Sequence, residues 1–136
     1  MPERLDTVSV DLSKRIRKPP AESARRVAVT AARLAIDQSG LRDSSLLDLP
    51  GHQNEVRRKS FTGLAHQLDE AAWEIEETKG SDSPAFLTLF HQARAASSAA
   101  SALENDPHAA ASDAIYEAHA SGVDVEALIA IVSKDS

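Results

Sequence analysis

The chain has 136 residues, 42% of them hydrophobic and 26% charged, with a formal net charge of −6 at pH 7. That is enough polypeptide for one domain with a modest core, and 5 Gly with 6 Pro are too few for a low-complexity linker protein. With no cysteine there is no disulfide framework, no thiol nucleophile and no Cys-based zinc or iron–sulfur site.

Residues 1–18 show no helical periodicity. Val8, Val10 and Leu12 alternate, which reads as an extended or disordered arm carrying the basic residues Lys14, Arg15, Arg17 and Lys18. Pro19-Pro20 ends the arm, and Pro20 suits the first turn of a helix, where its missing N–H has no partner to lose. The next helix is expected over 20–38, closed by Gly40 in the left-handed conformation. Its apolar positions sweep an arc of about 220°, wide enough to touch more than one neighbour. Arg25 falls inside that arc and is expected to snorkel or to pair with a carboxylate.

The stretch 41–54 reads as a connection, with room for one helical turn over 44–49 before the Pro50-Gly51 break. A long helix is expected over 54–79, ended by Gly80, with Phe61, Leu64, Leu68, Ala71, Ala72 and Ile75 on its core face. Asp82-Ser83-Pro84 signals a further start. The helix from there to about residue 104 should bury Phe86, Leu89, Phe90, Ala93, Ala96, Ala100 and Leu103. Asp106-Pro107 repeats the signal for a helix to about residue 120. After Gly122, Val125, Leu128, Ile129 and Val132 have the spacing of a last helix. The fold class is therefore all-α: a single-domain bundle of five to six helices over 19–136, with short connections and an irregular arm at 1–18. Alanine is the most abundant residue, 24 in all and 13 of them between positions 85 and 120. Close interhelical approach through small side chains follows from that pattern.

Charge is uneven along the chain. Residues 1–60 hold 12 Lys/Arg against 8 Asp/Glu, and residues 61–136 hold 3 against 13. A polyanion partner is one use of the basic third, but neutralising the acidic remainder within one fold is the simpler one, and the negative total argues against a nucleic-acid partner. No stretch reaches the roughly 18 apolar residues of a membrane span, and the N-terminus lacks a signal-peptide core, so a soluble, cytoplasmic chain with no membrane partner is expected.

Chemistry-bearing motifs are sparse. The histidines His52, His66, His91, His108 and His119 form no Glu-x-x-His pair, and no nucleophile elbow, P-loop, dinucleotide fingerprint or H-E-x-x-H occurs. His66 and Glu70 share one helical face, the only arrangement that suggests a metal. No cofactor or metal is called for, and a non-enzyme is expected. The informative residue is Trp73, about 160° from the Phe61/Leu68/Ile75 face at 100° per residue. Its surroundings on the wheel include His66, Asp69, Glu70 and Glu77. Either another segment covers the indole, or it is an aromatic anchor in an acidic rim, the composition of an interaction hot spot. Tyr116 likewise lies off its helix's apolar face.

The segments AARLAI, LAHQLDEAAWEIEE and QARAASSAASALENDPHAAASDAIYEAHAS resemble small bacterial all-helical proteins, some of them of the immunity type. The resemblance spans about residues 20–121 and rests on an Ala-rich helical pattern, with no catalytic motif to carry over. It implies an acidic bundle that binds and neutralises another protein. The leading expectation is thus a protein-interaction module working through the acidic surface of the 54–79 helix. Its partner would be another protein, a basic one by charge complementarity, or a second copy of the chain. The alternatives are a nucleic-acid or polyanion binder using the basic third, and a metal-dependent or small-ligand protein using His66 and Glu70.

Overall fold

A computed structural model describes residue 5 and residues 8–41 and 54–134. The expected helical turn over 44–49 lies outside the described residues. Six helices, and no strands among the described residues, make up the fold: α1 (Val10–Ile16), α2 (Ala21–Ser39), α3 (Asn54–Lys79), α4 (Pro84–Ala102), α5 (Pro107–Ala120) and α6 (Val125–Lys134). None of them is long and apolar enough to cross a membrane.

The extended arm read from the sequence needs correction, because residues 10–16 are helical. Ser9 sits in extended backbone and its hydroxyl accepts from the Leu12 N–H at 3.1 Å, a standard N-cap. Leu12 and Ile16, four apart, share one buried face with Leu5 beneath them, while Val10 turns out to solvent. The alternation of Val8, Val10 and Leu12 is therefore overruled by the i, i+4 pair and by docking against α6 and α5. Pro20 caps α2 rather than opening it, and Gly40 closes it at φ 75° as expected.

Alanine sets the packing of the centre. In α2, α4 and α5 the buried positions include Ala28, Ala31, Ala35, Ala95, Ala99, Ala111, Ala114 and Ala118. α2 and α5 both pack against α4 and against each other. Chain directions follow from side-chain ties. The Arg25 guanidinium donates to the Ala102 carbonyl at 2.7 Å and to the Asn105 carbonyl at 3.2 Å, so the start of α2 meets the end of α4. Arg25 thus pairs not with a carboxylate but with the exposed carbonyls of a helix end, where a cation is favoured. At the other end Gln92 donates to the Ser39 carbonyl, and within the core Ser98 donates to the Ala114 carbonyl at 2.7 Å. α4 accordingly runs antiparallel to both α2 and α5.

These ties also fix where the bundle stops. α2 finishes beside Gln92, and Gly122, just past α5, lies against His91. The first two turns of α4 run past both ends, with α3 as their principal neighbour. That explains a second departure from the sequence reading. Of the expected core face of α3, only Phe61 and Ala72 are buried, while Leu64, Leu68, Ala71 and Ile75 are half-buried. Likewise Phe86 and Leu89 are half-buried and Phe90 is exposed, whereas Ala93, Ala96, Ala100 and Leu103 are buried as expected. Helical periodicity identifies the inward face but not whether a third helix reaches it.

Two substitutions test this packing by urea denaturation. Gly63 lies on the exposed face of α3 with nothing within 4 Å of an added Cβ, so Gly63→Ala should stabilise the chain by about 0.5–1 kcal/mol. Ala114 is fully buried between helices, so Ala114→Leu should destabilise it by about 1–3 kcal/mol or more. A neutral Ala114→Leu would show that the alanine contacts are loose.

Candidate functional site

α4 is almost without charge along its length, and Arg94 is its only cation. Ala93, Ala95 and Ala96 around it are fully or nearly fully buried, so its guanidinium must find anions or remain poorly solvated. It finds two. One terminal nitrogen donates to Asp69 Oδ2 on α3 at 2.6 Å and the other to Glu117 Oε2 on α5 at 3.1 Å. The planar fork suits this use, since its two arms point to different carboxylates at once. Arg94 Nε is buried and without a hydrogen-bond partner among the described residues. The Arg94 carbon Cζ also stands 6.0 Å from the centre of the Phe90 ring, within cation–π range. Phe90 in turn stacks on Phe86 at 6.0 Å.

One cation between two carboxylates leaves the trio with a net negative charge. Glu117 is only 5% exposed, so that charge is partly withdrawn from water. Beside the trio lies a hollow of about 370 Å³, whose rim includes Trp73 from α3, Phe90 from α4 and Tyr116 from α5. A second hollow of about 340 Å³ shares Asp69 and Glu117 and continues toward Arg58 and Glu104. Arg58 is held by Glu55 at 2.8 Å, and that hydrogen bond, with the arginine's charge, keeps the Glu55 carboxyl below its usual range.

Trp73 is 58% exposed, so no described segment covers the indole. Asp69 joins it at the hollow, and His66 lines the second one. Glu70 pairs with His66 at 3.0 Å on the exposed face, and Glu77 is exposed there as well. Among the described residues, no group of three or more His, Asp or Glu side chains is placed to hold a metal ion. Lys14, Arg15, Arg17 and Lys18 sit on or just after α1 and are exposed. Arg15 bonds Asp11 and the Ser133 hydroxyl, each at 3.0 Å, and Arg17 bonds the Ser13 hydroxyl. The His108 and His119 rings donate to the backbone carbonyls of Pro19 and Val123.

Arg94 and Glu117 are not among the candidate site residues read from the sequence, and Phe90 is read there as core rather than as part of a site. The available signal for Arg94 was its isolation as the one Lys or Arg between positions 80 and 133, set in an Ala-rich helix. Comparison with family models, with curated proteins and with solved structures gave no match.

The Arg94 bridge can be tested as a coupled unit by urea denaturation. Arg94→Met leaves two partly buried carboxylates facing each other and should cost about 3 kcal/mol. Adding Glu117→Gln should recover part of that loss, because the carboxylate repulsion it relieves is offset by Arg94 in the wild type and uncompensated in Arg94→Met. Two losses that add to within about 0.5 kcal/mol would show that the three side chains act independently.

Proposed function

We propose that this chain is a protein-interaction module rather than an enzyme, of the kind that binds and neutralises another protein, acting in the cytoplasm. Its binding face is the outer surface of α3, with Trp73 as anchor and Asp69, Glu70 and Glu77 as the acidic rim. The observation that carries this reading is the 58% exposure of the chain's single tryptophan. A large aromatic left in water is unfavourable for the free chain, and it is the residue type most often found at the energetic centre of an interface. Residues 60–78 contain Asp69, Glu70, Glu74, Glu76 and Glu77 and no lysine or arginine. Such a surface selects a basic partner by charge complementarity, which sets association rate and specificity.

The test is capture of the partner from native lysate by the wild-type chain and by Trp73→Ala. Trp73 packs into no core, so the substitution should change stability by no more than about 0.5 kcal/mol, while the captured basic protein is lost. Capture that is unchanged in Trp73→Ala, or a stability loss above about 2 kcal/mol, would contradict the reading.

A further inference from the structure

The two hollows at the Arg94 bridge belong to one trough. α3 and α5 each pack on α4 but make no extensive contact with one another, so α4 forms the floor between them. On that floor the residues lining the hollows are Phe90, Arg94, Ser97, Ala100 and Ser101 of α4, with Glu104 two residues past its end. From Phe90 to the end of α4 at Ala102, thirteen residues of helix give a floor about 20 Å long. Its upper end is aromatic, its lower end is polar, and Asp69 and Glu117 are common to both.

Charge commits the occupant. The charged residues that line the trough are the carboxylates Asp69, Glu104 and Glu117 and the cations Arg94 and Arg58, and Arg58 is already paired with Glu55. The chain already shows what chemistry this place accepts, because Arg94 lies against Phe90 and between two carboxylates. Asp69 commits only its Oδ2 atom to Arg94. A planar guanidinium can lie flat on aromatic rings and still offer N–H groups to a carboxylate, which an ammonium does less well.

We propose that the trough between α3 and α5 seats a basic polypeptide segment of a partner protein, one of whose arginine side chains enters the hollow among Trp73, Phe90 and Tyr116 and pairs with Asp69. This rests on the interaction-module reading and gives it a location and a ligand class. The segment lies along α4, and its arginine stacks beside Trp73.

Trp73 is the only tryptophan, so its fluorescence reports occupancy directly. The full chain is titrated with a short synthetic peptide of alternating arginine and leucine, and with the same peptide carrying glutamate for arginine. The basic peptide should shift Trp73 emission to the blue, saturably, and shield it from acrylamide. Its affinity should fall about tenfold in Asp69→Asn and in Phe90→Ala, and further as salt rises from about 50 to about 500 mM. Phe90 is already 36% exposed, so its removal leaves the fold in place, as a thermal midpoint within a few degrees of wild type would verify. No saturable response to the basic peptide, an equal response to the acidic one, or unchanged affinity in the folded Phe90→Ala variant would overturn the proposal. If Trp73-dependent partner capture persists in that event, the trough is wrong and the interaction module stands. If capture fails too, both fall.

Discussion

A single guanidinium joins three helices in this protein. Among the described helices α3 packs extensively only on α4, and its tie across to α5 runs through Asp69, Arg94 and Glu117. Arg94 cannot retract into water without taking its cation away from the buried Glu117 carboxylate, and removing a charge partner from a buried carboxylate is among the costlier changes a small domain can suffer. The bridge therefore fixes how far α3 stands from α5, and hence the width of the trough between them. It also fixes the height of Trp73, which lies one helical turn beyond Asp69 on α3.

The rest follows from small side chains and unequal helix lengths. Alanine at most contact positions lets α2, α4 and α5 approach closely, so a solid core forms with few large residues: Phe61 is the only buried aromatic. Because α2 ends beside Gln92 and α5 ends near His91, the α3–α4 hairpin overhangs the bundle. The overhang leaves Trp73, Leu87 and Phe90 at the surface, next to the most acidic stretch of the chain. A monomeric domain seldom keeps an aromatic cluster exposed beside clustered like charges without a use for it.

Most of the helical architecture was legible because its signals are local. Asp106 caps α5, Pro84 and Pro107 open their helices, and Gly40 and Gly80 close theirs with positive φ, all within a few residues of the boundary they set. Ser9 is an equally local signal for α1, but the short alternation beside it obscured the four-residue spacing of Leu12 and Ile16. The wheel set Trp73 away from the core face of its helix but left open whether another segment covers it. What could not be read was contact at a distance: that Leu68 and Phe86 stay half-buried, that Arg25 meets carbonyls rather than a carboxylate, and that Asp69, Arg94 and Glu117 converge from three helices. Pairings 23 and 25 residues apart leave no periodic trace.

The functional reading turns on the indole at position 73 standing in water at the mouth of an acidic trough. Acrylamide quenching of the isolated chain's tryptophan fluorescence tests this most directly, since the signal has one source. Red-shifted emission and a quenching constant about half that of free tryptophan or more are expected for a ring this exposed. Blue-shifted emission with strong protection in the absence of any partner would mean that the chain covers Trp73 itself, and would contradict the account.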